Sequence, residues 1–185
     1  MQDIHPRAWV APTAQLYGRV QVSADASIWH NAVIRAECHD VRIGRMSNIQ
    51  DFVMIHVSYE CGTVVGEFCS VAHHTTLHGC IVEDHCLVGI GATIMDRAVI
   101  GRGSIVAGGA FVKEGSVFPP GSIITGMPAK VIRERDMARD NRLNAWLYHR
   151  NADHYRRGLH RAWDGPEFDA WLAETTARVA RDGDL

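Results

Sequence analysis

Three of the eleven histidines in this 185-residue chain, His56, His73 and His78, are the side chains best suited to chemistry. A neutral imidazole offers a nitrogen lone pair to a divalent cation at roughly 2.0–2.1 Å, and three of them make a Lewis-acidic metal site with room for a further ligand. Charged and amide side chains cluster around them: Arg35 upstream, then Asn48, Gln50 and Asp51. The remaining histidines include His5, His149, His154 and His160, which read as surface residues. A metal needs its ligands brought together in space, so the elements that carry these residues decide whether the site exists.

Those elements are announced by a six-residue period. Aliphatic residues recur at Val10, Leu16, Val22, Ile28 and Ile34, then at Ile43, Ile49 and Ile55, then at Val65, Val71 and Leu77. The row resumes at Val82 and runs through Val88, Ile94, Ile100, Val106, Val112 and Phe118 to Ile124. Four residues after each there is usually a small one, such as Ala14, Ala32, Cys69, Ala92 or Ala110. A period of six fits neither a helix nor a lone strand and signals stacked repeats, each a short strand and a turn. Parallel strands of successive coils then lie about 4.8 Å apart.

The pattern resembles the hexapeptide-repeat family. That resemblance implies a mainly β fold, a left-handed parallel β-helix with three hexads per triangular coil. Every third aliphatic position then shares a face. One column is Leu16, Ile34, Ile55, Leu77, Ile94, Val112; a second is Val10, Ile28, Ile49, Val71, Val88, Val106; a third is Val22, Ile43, Val65, Val82, Ile100, Phe118. The repeat is broken between Ile34 and Ile43, between Ile55 and Val65, and between Leu77 and Val82, always at the corner after the first column. Irregularities gathered at one corner suggest a shaped site. His56 follows Ile55 and His78 follows Leu77, so these two occupy equivalent places one coil apart. His73 sits on the next face, beside the place of Asp51 one coil earlier. It cannot easily swing to the ion held by its own His56 and His78, whereas a neighbouring copy could present its His73 there. The expectation is a closed homotrimer with a metal shared between subunits, and an intersubunit ion pair between Arg35 and Asp51.

With these residues in place, the chain looks like the γ-class carbonic anhydrases over roughly residues 8–133. The matching strings are Ile34-Arg35-Ala36-Glu37, Ser47-Asn48-Ile49-Gln50-Asp51, His56, and His73 through His78-Gly79. The resemblance implies a lyase in which His56, His73 and His78 bind Zn2+, with Fe2+ or Co2+ as alternatives, between subunits of a trimer. The implied reaction is reversible hydration of CO2 to bicarbonate by metal-bound hydroxide, which the charge of the ion makes available near pH 7. Gln50 would orient the hydroxide and Asn48 would help position CO2. The family's prototype carries a long acidic loop of proton-shuttling glutamates after its first metal histidine. Here that loop is the short Val57–Val64 segment and offers only Glu60, with Tyr59 nearby, while Glu37 and His39 are alternative shuttles. Three other readings stay open: a hexapeptide acyltransferase using CoA, a metal-dependent CoA-thioester hydrolase accessory to a catabolic pathway, and a metal-stabilised structural trimer with little activity.

Composition is consistent with this class. A net charge of -2 gives no reason to expect nucleic acid or an anionic membrane as partner, and no apolar run approaches a membrane span. Five scattered cysteines without a Cys-x-x-Cys pair, and an N-terminus without signal-peptide character, lead to the expectation of a reduced cytoplasmic protein. Cys69 and Cys86 fall on small inward positions and read as buried thiols. Past Pro128 the hexads stop, so the expected organisation is a β-helix domain over 1–133 and a helical appendage over 134–185. Its first helix is expected from Glu134 to about His160, with Met137, Leu143, Trp146, Leu147 and Tyr155 as its apolar face. Its second is expected over 167–181.

Overall fold

The computed structural model describes residues 2–181. Short parallel strands stack into a β-solenoid, and two helices, α1 (Ala138–Arg156) and α2 (Pro166–Arg181), follow it. The strand register reproduces the columns residue by residue. Leu16 pairs with Ile34, Ile34 with Ile55, Ile55 with Leu77, and Leu77 with Ile94, which pairs with Val112. The second column runs from Val10 through Ile28, Ile49, Val71, Val88 and Val106 to Ile124, and the third from Val22 to Phe118. These aliphatic side chains point inward and fill one continuous core, together with the small residues of the corners. Cys69 and Cys86 are buried there, and burial pushes the neighbouring Cys80 thiol up to about 12.

The broken corner is where two faces merge. Gln15–Val22 and Val33–Ile43 are single long strands that turn from the first column's face to the third's. The first and third columns therefore belong to one hydrogen-bonded sheet, and the second column forms another. The extra residues of the second coil appear as a register shift between Gly18 and Val20, where the chain pairs with Ala36 and then with Val41. A side chain at Gly18 would bring a Cβ to 2.0 Å from the Ala36 carbonyl oxygen, so only glycine lets the two strands approach here.

Helix α1 lies across the face of the second column, against the strands at residues 9–10, 27–28, 48–49 and 70–71. It starts at Ala138, later than the sequence suggested, because Ala129–Glu134 pairs antiparallel with Ser122–Gly126 and closes the last coil. Its buried face also differs from the expected one. Ala138, Asn141, Arg142, Ala145 and Ala152 are buried, whereas Leu143, Trp146 and Leu147 are half-buried. Small residues let the helix settle close to a flat sheet, and Asn141 Nδ2 then donates to the carbonyl oxygens of His85 (2.8 Å) and Ser104 (3.2 Å). Trp9, Trp29 and Tyr155 pack edge to face at the other end of α1, with Trp29 and Tyr155 5.1 Å apart. Helix α2 packs on α1, with the Arg178 guanidinium 4.0 Å from the Trp146 ring centre. No helix among the described residues is long and apolar enough to cross a membrane.

The core sets the spacing of everything outside it. Leu77 is fully buried between Ile55 and Ile94, directly behind the histidine-bearing strands. Leu77→Ala is expected to cost about 2–5 kcal/mol, since a stacked column collapses poorly around a cavity. Urea unfolding of the metal-free protein measures it; a cost below that range would mean the coils relax into the gap.

Candidate metal centre

His56 and His78 are register partners on adjacent strands, Met54–His56 and Thr76–His78. Their rings meet at an angle with centres 5.0 Å apart, and His56 Nδ1 lies 3.1 Å from His78 Nε2. Two metal–nitrogen bonds of about 2.0–2.1 Å at a tetrahedral angle end about 3.3 Å apart, so this spacing suits two ligands of one ion. The far side of each ring meets a carboxylate. His56 Nε2 is 3.0 Å from Glu37 Oε2, and His78 Nδ1 contacts Asp96 Oδ1. A ring nitrogen facing a carboxylate carries the proton, which leaves the other nitrogen with its lone pair. With both rings neutral and protonated towards their carboxylates, two lone pairs face each other between His56 and His78, where a cation could be shared. The donor set fits a divalent metal.

His73 belongs to the adjoining corner. Its Nδ1 is 3.1 Å from Asp51 Oδ2, as the column arithmetic required, and this leaves Nε2 as the free nitrogen. Phe52 and His74, the residues after Asp51 and His73, both adopt left-handed backbone (φ +61° and +59°). That sharp corner turns the two preceding side chains outward together, and the Phe52 and His74 rings stack 5.0 Å apart. Among the described residues no group of three His, Cys, Asp or Glu side chains of one chain could hold an ion. The structure thus gathers two separate pairs, His56 with His78 and His73 with Asp51.

The other expected site residues divide between these halves. Arg35 Nη1 pairs with Glu37 Oε1 at 2.9 Å, beside His56, and does not reach the Asp51 of its own chain. Backbone hydrogen bonding first, then His56 and Arg35, hold the Glu37 carboxyl below the usual glutamate range. Glu60 is drawn the other way: Arg97 Nη1 holds it at 2.5 Å and also contacts Glu114 through Nη2. Asn48 and Gln50 are 1% and 3% exposed on the His73 side, and Gln50 Nε2 donates to Asn48 Oδ1 at 2.9 Å.

Two residues near the centre carried no sequence signal on their own. Asp96 stands beside Gly79 in the ruler; a Cβ at Gly79 would lie 3.0 Å from Asp96 Oδ1, so the missing side chain leaves the carboxylate room beside His78. Tyr148 of α1 is the other. Burial, and then the charge of Asp51, push its phenol up to about 12, so it stays protonated and can donate.

Comparison with known proteins bears on this geometry. The bacterial transferase hexapeptide (six repeats) model matches residues 79–114. The chain is 51% identical over 125 residues to a probable carbonic anhydrase of Methanocaldococcus jannaschii, covering 68% of this chain and 79% of that protein. It is 46% identical to the mitochondrial gamma carbonic anhydrase 3 of Arabidopsis thaliana, over 71% of this chain and about half (54%) of the plant protein. Among solved structures, a hexapeptide transferase family protein of Anaplasma phagocytophilum superposes with a TM-score of 0.79 at 30% identity, over 83% of this chain and 92% of that one. A repeat scaffold shared with transferases, with a carboxylate beside each of three histidines and 68–71% of the chain aligned with named anhydrases, places this chain in the γ-class carbonic anhydrase family of hexapeptide-repeat proteins.

Proposed function

We propose that the protein is a metal-dependent carbonic anhydrase that hydrates CO2 reversibly to bicarbonate at sites shared between the subunits of a homotrimer. The observation that carries this reading is the approach of His56 Nδ1 to His78 Nε2 at 3.1 Å, with Glu37 and Asp96 on the far sides of the two rings. His73 of a neighbouring copy supplies the third imidazole, since its free nitrogen points away from its own Asp51. A Zn2+ ion held by three neutral imidazoles, or Fe2+ or Co2+ in its place, would supply hydroxide at neutral pH by lowering the pKa of water to near 7. Gln50 would orient the attacking oxygen, and Asn48 would steady Gln50. Arg35 of one subunit meets Asp51 of the next and keeps the halves in register. The product proton leaves towards Glu37, which already touches His56.

Metal analysis and stopped-flow CO2 hydration on protein purified without chelators test the reading. The expected result is one metal per chain and hydration that disappears with the metal. Metal-free protein, or metal-loaded protein without hydration, overturns it. The two glutamates separate in the same assay. Glu37→Gln is expected to lower turnover roughly tenfold in dilute buffer; the part due to proton removal recovers in concentrated imidazole, whereas any part due to the lost carboxylate behind His56 follows metal content and does not. Glu60→Gln is expected to change it less than twofold, because Glu60 stands beside Arg97 and not beside a histidine.

One observation favours a second reading, hydrolysis of an acyl thioester by the same residues. A cavity of about 520 Å³ opens beside Gly79, lined by Val64, Ile81, Arg97 and by Arg19 and Arg42, which both pair with Asp40. CO2 needs no such space, whereas an anionic thioester would use it. Parallel assays of CO2 hydration and acyl-CoA hydrolysis on one metal-loaded preparation decide between them.

A further inference from the structure

Two ladders of side chains run along the outside of the solenoid through the three histidines. One follows the first column: Tyr17, Arg35, His56 and His78 are successive register partners. Leu77 pairs with Ile94, so Met95 continues this ladder one coil beyond His78. The other ladder stands on the adjoining corner and runs His30, Asp51, His73, Ile90. Backbone hydrogen bonds tie its rungs in order. The Phe52 N–H donates to the His30 carbonyl at 3.1 Å, the His74 N–H to Asp51 at 3.2 Å, and the Gly91 N–H to His73 at 3.0 Å. Both ladders pass from charged or imidazole rungs to an apolar one at the same end. Ile90 is 59% exposed and Met95 is half-buried. A single exposed isoleucine is ordinary on a protein surface. What distinguishes Ile90 is its rung.

Two contacts of the trimer determine how the ladders of neighbouring copies meet. Asp51 of one copy faces Arg35 of the next, and one coil on, His73 faces His56 and His78. Both ladders climb one coil between these contacts, so they run side by side in the same direction at about 4.8 Å per rung. His73 is shared between two successive rungs of the facing ladder, and the rung after it must be shared likewise. That rung is Ile90, and the two it meets are His78 and Met95. The position above Ile90 is Gly108, and the Gly109 N–H donates to the Ile90 carbonyl at 2.9 Å. Ile90 is therefore the last of these rungs with a side chain that can cover the histidines.

We infer that Ile90 of one subunit packs between Met95 and His78 of the next and closes the metal centre on its C-terminal side with an apolar contact. The inference rests on the trimeric carbonic anhydrase reading. Arg35, Glu37 and Asp51 then make the other side of the centre charged. An apolar cover limits the access of water to the imidazoles, so a bound ion exchanges slowly.

The test uses full-length, zinc-loaded protein and the variants Ile90→Ala, Met95→Ala, both together, and Val117→Ala. Val117 is exposed beside Phe118 of the third column and belongs to neither ladder. Sedimentation over a dilution series reads the concentration at which half of the trimer dissociates. Ile90→Ala and Met95→Ala are each expected to raise it about tenfold. The double variant is expected to go no more than about threefold beyond either one, because two groups that touch lose the same contact. Val117→Ala is expected to leave it unchanged. At concentrations that keep every variant trimeric, a chelator should remove zinc about tenfold faster from Ile90→Ala than from the wild type. Metal-free Ile90→Ala and Met95→Ala should unfold in urea like the wild type, since neither side chain belongs to the core. A metal-bound trimer whose dissociation and zinc loss are unchanged in Ile90→Ala overturns the inference. Effects that multiply fully in the double variant overturn it by placing the two residues at separate contacts, and an equal change in Val117→Ala overturns it as unspecific. A monomeric wild type defeats the trimeric reading and the contact with it. A metal-bound trimer that does not hydrate CO2 defeats the activity alone, and the dissociation measurements still decide the contact.

Discussion

His73→Ala and His78→Ala, each without tight metal or activity on its own, are expected to regain both when unfolded together and refolded as a mixture. The reason is the division of ligands between two corners of the solenoid. His56 and His78 stand on adjacent strands, whereas His73 is bonded to Asp51 on the next face. In a mixed trimer a site is complete when the subunit giving His56 and His78 is the His73→Ala copy and its neighbour is the His78→Ala copy. Random assembly makes each condition true half the time, so about one quarter of the sites should form. Metal per chain and CO2 hydration should both return to about one quarter of the wild-type value. Recovery near zero would place all three ligands in one chain. Tight metal in either variant alone would show that two imidazoles are enough. The experiment has a low background, because removing one of three neutral ligands leaves an open ion that water and chelators take away.

The complementation test can be designed from the sequence, which shows what the hexad ruler can carry. Period, not residue identity, placed Asp51 against His73 and His56 against His78; the second pair appears in the strand register and the first as a 3.1 Å contact at the corner. Side chains at corners follow the same ruler only while the coils are uniform. Glu60 and Glu37 look alike as proton acceptors in the sequence, but the inserted residues turn Glu60 towards Arg97 and leave Glu37 on His56. The helices lie outside the ruler altogether. Leu143 and Leu147 mark the greasiest side of α1, yet alanines and Asn141 face the sheet, because a flat β surface rewards close approach over bulk. Tyr148 reaches the site only through that docking, so nothing in the repeat could reveal it.

Asp96 is the strongest case of a residue the period alone does not disclose, and its removal has a large expected effect. Its carboxylate meets His78 Nδ1 across the space above Gly79. This contact does two things. It selects the tautomer with the proton on Nδ1 and the lone pair on Nε2, and its negative charge makes that lone pair more basic. The two effects separate by substitution. Asp96→Asn keeps an acceptor oxygen for Nδ1 but loses the charge, so zinc affinity should fall about tenfold. Asp96→Leu loses both, frees the imidazole to rotate and change tautomer, and should cost about a hundredfold. Competition with a chromogenic chelator measures each value. Asp96 is partly exposed at the edge of the solenoid, so the metal-free variants should unfold at nearly the wild-type urea concentration, which separates ligand orientation from folding. Equal zinc affinity in Asp96→Leu and wild type would mean that packing against His56 alone orients His78. Equal losses in the two variants would assign the whole effect to charge.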